Sequence, residues 1–347
     1  MPRSLFNHIA PLLTAALALP SPAAAQWTYV ASATAAELRG LSMADRGVVW
    51  ASGARGTVVR SRDGGRTWIA DTVPGATTLD LRSIHALNDG AVFVASAGEA
   101  EKGLAKIFAT GDAGRHWRQV FTTGDTGVFL DAIAFWDVKH GIALSDPVGG
   151  AFVLLLTDDG GRTWSRLPPE SLPRNHPGEA AFAASGSALA IAGGSHVWIG
   201  TGGGVARVMH SADRGRTWSV TDVPVDARGS AAGVFSVAFA DARHGIAVGG
   251  DYTQPRLASR SVAITSDGGR SWRAAVAPPA AYLSGVAFAG SPKDVVAVGL
   301  AGTFVSRDGG DHWVQRDTVS MNSVRFRGRT GVAVGPRGRI GRTDGIR

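Results

Sequence analysis

Ser61-Arg62-Asp63-Gly64-Gly65-Arg66-Thr67-Trp68 occurs, in varied form, six times along this chain of 347 residues. The second copy is Thr110-Gly111-Asp112-Ala113-Gly114-Arg115-His116-Trp117. The next two are Thr157-x-Asp159-x-Gly161-x-Thr163-Trp164 and Ser211-x-Asp213-x-Gly215-x-Thr217-Trp218. Then come Thr265-x-Asp267-x-Gly269-x-Ser271-Trp272 and Ser306-x-Asp308-x-Gly310-x-His312-Trp313, and a truncated seventh copy stands at Thr343-Asp344-Gly345. Each residue type has a local reason. An Asp carboxylate accepts backbone N–H groups inside a tight turn, Gly supplies the positive φ such a turn demands, and Trp buries a large apolar ring against a neighbouring sheet. The seven aspartates, Asp63, Asp112, Asp159, Asp213, Asp267, Asp308 and Asp344, therefore read as structural staples of turns rather than as catalytic or metal-binding groups.

Their spacings, 49, 47, 54, 54, 41 and 36 residues, are near the length of a four-stranded propeller blade. The same four strands recur in each unit. In the first they are expected at 38–43, 48–53, 57–61 and 66–73, and in the sixth at 284–289, 295–299, 303–306 and 312–315. Breakers such as Asp45-Arg46-Gly47 and Asn88-Asp89-Gly90 separate the first two strands. The seventh unit lacks a fourth strand, and Gln26-Trp27-Thr28-Tyr29-Val30 matches the strands that follow the repeated turn. The expected fold is all-β: one domain over 26–347, a seven-bladed β-propeller of four-stranded antiparallel blades, closed by the N-terminal strand completing the last blade. Closure removes exposed sheet edges.

The repeated turn resembles the Asp-box, or bacterial neuraminidase (BNR) repeat, over essentially all of 26–347. Residues 1–25 read as a signal peptide: Arg3, an apolar run from Ile9 to Leu19, and Ala23-Ala24-Ala25 before a cleavage expected after Ala25. The apolar run is too short for a membrane span, and no later stretch reaches that length. A periplasmic or secreted, monomeric protein is the expectation. The absence of Cys excludes a disulfide framework, thiolate-held metals and a thiol nucleophile. The formal charge is +7, but the cations are scattered through the repeats without a basic stripe, so a protein or glycan partner in the cell envelope is expected, and not nucleic acid. No His pair has metal-ligand spacing, and neither a metal site nor a cofactor is expected.

In a blade with strands a to d from the inside outward, the repeated turn joins c to d. The b–c loops and d–a crossings lie at the opposite end, and the insertions fall there. One loop holds Glu99, Glu101 and Lys102, another holds Asp251, Tyr252, Gln254 and Arg256, and the longest crossing, 168–179, holds His176 and Glu179. Long loops on a rigid scaffold commonly carry function. The first residues of the inner strands, Arg39, Arg82, Asp131, Ser236, Ser284 and Asn322, should ring the channel mouth at that end. The candidate binding face is therefore Arg39, Arg82, Asp131, Glu99, Glu101, Glu179, His176, Asp251, Tyr252 and Arg256.

Three functional classes follow. Export, the inner-strand sequence Leu81-Arg82-Ser83-Ile84 and the compact blades are similar to the photosystem II stability and assembly factor family. That resemblance implies a non-enzymatic scaffold docking a membrane-protein assembly partner, with Arg39 and Arg82 as the matching arginines. Asp-box propellers also include glycoside hydrolases, sialidase-like or β-glucan-active, which need two carboxylates at a set separation. The available pool is Glu99, Glu101, Asp131, Glu179 and Asp251, while the sialidase Arg-Ile-Pro motif is absent. A cofactor-dependent oxidoreductase finds no support, since Gly202-Gly203-Gly204 lacks the strand–turn–helix context of a dinucleotide site.

Overall fold

A computed structural model describes residues 27–346; the signal-peptide reading of residues 1–25 lies outside them. The described chain forms seven four-stranded antiparallel sheets. Blade 1 consists of Leu38–Met43, Val49–Gly53, Thr57–Ser61 and Ile69–Thr72 in spatial order. Blades 2 to 6 repeat this arrangement. The inner strands of adjacent blades pack side by side, and Leu38–Met43 meets Ser323–Arg327 to complete the ring.

Blade 7 takes its outer strand from the other end of the chain. Thr28–Val30 pairs antiparallel with Ile340–Thr343, Thr28 opposite Arg342 and Val30 opposite Ile340. Trp27 is buried beside this pair, and its indole N–H donates to Thr303 Oγ1 in blade 6 at 2.8 Å. The closing strand thus joins two blades as well as two chain ends.

The repeated turns explain why the blades look alike. Asp63 Oδ1 accepts the backbone N–H groups of Arg66 and Thr67, each at 2.9 Å, and Oδ2 accepts the Thr67 hydroxyl at 2.6 Å. Ser61 Oγ donates to the same carboxylate and accepts the Gly65 N–H. The other five complete copies repeat this pattern, with the His116 and His312 rings in place of the Thr hydroxyl. These bonds hold the carboxylates ionised: Asp159, Asp213, Asp267 and Asp308 fall to about 2. Because the turn occupies residues up to Trp68, the outer strand starts at Ile69 rather than 66. Trp68 packs on Val332, Val334 and Ile340 of the neighbouring blade.

The central channel is not open. The crossing from Ser165–Arg166 to Leu189–Ala192 sends residues 182–187 into it. Arg39 of blade 1 donates to Ala184 O, Ser185 Oγ donates to Ser284 O of blade 6 at 2.7 Å, and Ser187 Oγ donates to Ser236 Oγ of blade 5 at 2.8 Å. Gly186, at φ 64°, lies so close to blade 2 that an added Cβ would stand 2.9 Å from Ser83 Oγ and 3.0 Å from Arg82 O. The small residues of Ala180-Ala181-Phe182-Ala183-Ala184-Ser185-Gly186-Ser187 let this backbone cross the axis. The segment plugs the channel and leaves a hollow at each end.

Candidate functional site

The hollow at the long-loop end has a volume of about 390 Å³. Four of its walls arise from one local device repeated in different blades. The register between the two innermost strands slips by one residue at Arg39, Arg82, Asp131 and Phe235. A β-bulge leaves one residue unpaired and re-aims its side chain. All four bulged residues line this pocket.

The remaining walls are aromatic. Phe182, on the plug, stacks on Phe235 with ring centroids 3.7 Å apart and planes 9° off parallel. Tyr282 stands edge-on to Phe235 at 4.7 Å, and Tyr252 at the rim lies 6.1 Å from Phe235 and 6.4 Å from Tyr282. Phe129, Asp146, Ser284, Leu300 and Asn322, with Ala181, Ala183 and Ala184 of the plug, complete the lining.

The charges divide into two kinds. Arg39 is paired with Glu37 at 2.7 Å, and Arg82 with Asp80 at 2.7 Å, so each guanidinium already has a carboxylate from its own chain neighbourhood. Asp131 is different: it is 1% exposed, and neither carboxyl oxygen has a hydrogen-bond partner among the described residues. Burial, and next the nearby Asp146, push its pKa well above the ordinary Asp range, against a smaller opposite pull from Arg82. Asp146 accepts the Ala181 N–H at 2.9 Å through Oδ1, and burial raises its pKa to about 6.

Of the residues expected at the channel mouth, Arg39, Arg82, Asp131, Ser284 and Asn322 line the pocket, as does Tyr252. Ser236 does not: it is buried, and its hydroxyl accepts the Val286 N–H across the blade interface. The bulge puts Phe235 in its place.

Other candidates lie elsewhere. Glu99 pairs with Lys102, and Glu101 accepts the Gly127 N–H at 3.4 Å. Asp251 caps its own loop through the Thr253 N–H and hydroxyl, while Arg256 and His176 are exposed. Glu179 is buried and ties its loop together. It accepts Arg207 Nε at 3.0 Å, Thr201 Oγ1 at 2.6 Å and the His176 N–H at 2.8 Å. Sequence reasoning missed Asp146, Phe129, Phe182 and Phe235. The run of small residues around Phe182 was the available signal for the plug; nothing local marked Asp146.

No family model matches the chain, and no curated protein matches it in sequence. Solved structures do. The chain is similar to YCF48 bound to a D1 peptide, with a TM-score of 0.65 and 18% identity over 91% of this chain and 96% of that one. It is similar also to YCF48 from Cyanidioschyzon merolae, with a TM-score of 0.64 and 16% identity over 92% and 98%. The GH74 enzyme of Niastella koreensis aligns with a TM-score of 0.62 and 16% identity, over 90% of this chain and 53% of that enzyme. At such identities the likeness is one of fold. Among the described residues no helix is long and apolar enough to cross a membrane.

Proposed function

We propose that the chain is an exported, non-enzymatic propeller that captures a segment of a protein partner in the pocket at its long-loop end, in the manner of an assembly factor. The observation that carries this reading is the pocket itself. Bulges in four blades turn side chains into one hollow with an aromatic wall and a polar floor, the anatomy of an anchor site for a partner's side chains. The structural likeness to YCF48, seen bound to a D1 peptide, supports it. The signal-peptide reading puts that partner in the cell envelope.

A photo-crosslinking residue at Tyr252, on the pocket rim, should trap a polypeptide from an envelope extract. The same group at the exposed Val138, at the opposite end, should not. Leu300→Arg, which puts a long side chain at the exposed rim of the pocket, should suppress the product while circular dichroism stays unchanged. Equal trapping at both ends, or none at Tyr252, refutes the reading.

A glycoside hydrolase is the second reading. One observation favours it: Asp131 and Asp146 share the pocket, and both are shifted toward the protonated form, as a general acid must be. The GH74 likeness is in keeping with it. Turnover of β-glucans or sialosides that is lost in Asp146→Asn would replace the binding reading.

A further inference from the structure

The pocket contains more unmatched carboxyl groups than its two arginines suggest. Arg39 and Arg82 are each held by a carboxylate outside the pocket lining, Glu37 and Asp80. Asp131 and Asp146 have no cationic partner within hydrogen-bonding distance among the described residues. Both Asp131 oxygens lack a bond, and Asp146 uses only Oδ1, for the Ala181 N–H. Three carboxyl oxygens from neighbouring strands of blade 3 are thus left without a protein donor among the described residues, and the two on Asp131 are buried, where leaving an acceptor unmade is costly. Beside them stand Phe182, Phe235, Tyr252 and Tyr282.

We infer that this pocket is a primary-ammonium site, taking the side-chain ammonium of a lysine from the protein partner between Asp131 and Asp146. The inference rests on the reading that a protein segment docks at this end. An ammonium offers three N–H donors and no acceptor, which matches three acceptors without donors. A planar guanidinium suits the two oxygens of one carboxylate instead. The aromatic faces attract the cation and cover the alkyl chain. The arginines leave the site open to a cation because their charge is already balanced.

Binding carries a proton signature. The groups facing Asp131 are Asp146 on its own blade, Arg82 with its partner Asp80, and Tyr282 with Arg39 across the pocket. Burial shifts both Asp131 and Asp146 toward the protonated form, Asp146 to about 6. An ammonium favours the ionised form of both carboxyls, so binding near pH 6 releases protons.

The test is calorimetric titration of the full mature chain with Nα-acetyl-lysine N-methylamide. The comparison probes are the Nε-acetylated form, which keeps the chain but loses the charge, and 1,5-diaminopentane. The lysine probe should bind at least tenfold more tightly than its acetylated form, with proton release seen by repeating the titration in buffers of different ionisation heat. Asp131→Asn and Asp146→Asn should each weaken it at least tenfold with unchanged circular dichroism. Equal affinity for the acetylated probe, no binding of either amine, or full affinity in both variants overturns the ammonium site. Tight binding of the diamine without the lysine probe overturns the lysine source. Crosslinking at Tyr252 reports on the docking reading separately: if it persists while no amine binds, this inference falls and docking stands.

Discussion

Asp146 should make the protein less stable at neutral pH than an asparagine would, and only there. Its folded pKa, raised to about 6, stands about 2 units above the unfolded value of 3.8. The folded state therefore holds its proton more tightly than the unfolded state does. The carboxyl costs nothing below the unfolded pKa, the cost grows as pH rises through the interval, and it is complete above about pH 6. At roughly 1.4 kcal/mol per unit the full cost is about 3 kcal/mol. Asp146→Asn keeps an oxygen for the Ala181 N–H and removes the ionisation. For a domain of this length an unfolding entropy of roughly 0.7 kcal/mol/K converts that gain into a Tm rise of about 4–5 °C. Thermal melts of the two proteins at pH 8 should show it, and melts at pH 4 should differ by less than about 1 °C. The turn aspartates, whose lowered pKa values make them lose stabilisation only as pH falls toward 2, are common to both proteins and cancel. A gain independent of pH, or a loss at pH 8, would show that Asp146 is not a desolvated carboxyl.

Further outcomes separate structural from binding roles. Glu179→Ala leaves Arg207 buried without its partner and should cost about 3–5 kcal/mol, a fall in Tm of roughly 5–7 °C, without changing the pH dependence set by Asp146. Replacing Arg207 by Met in the same variant should recover part of the loss in the same melts. Trp27→Ala should cost about 3–5 kcal/mol, since it empties a buried site and removes the bond to Thr303. A chain beginning at Ala31 should in addition self-associate through the uncovered strand Ile340–Thr343, visible as concentration-dependent elution in gel filtration.

Much of the scaffold could be read from the chain because its determinants are local. Ser61, Asp63, Gly65 and Thr67 satisfy one another within a few residues, so their spacing marks a turn without knowledge of the rest. Trp27 could be placed in the last blade because it matched the tryptophans that follow the other turns. The site was legible only in outline. Arg39, Arg82 and Asp131 were placed at the mouth from the start of their strands, whereas Ser236 was expected where Phe235 stands. A bulge inserts one residue and reverses which side chain faces the channel, and an alternating pattern does not reveal it. Glu179 looked like a loop residue free to bind, until folding brought Arg207 and Thr201 against it.

The sequence by itself determined the number of blades, the turns that staple them and the strand that closes the ring, because these rest on hydrogen bonds and packing repeated at short range. The tertiary structure decided what the molecule presents at its long-loop end. It put the plug across the channel, bound Arg39 and Arg82 to their own carboxylates, and left Asp131 and Asp146 without a bonded cation among the described residues, beside five aromatic rings. Those relations join residues from five blades and a crossing. The charge balance they produce depends on which groups burial brings together, a quantity that no local spacing contains.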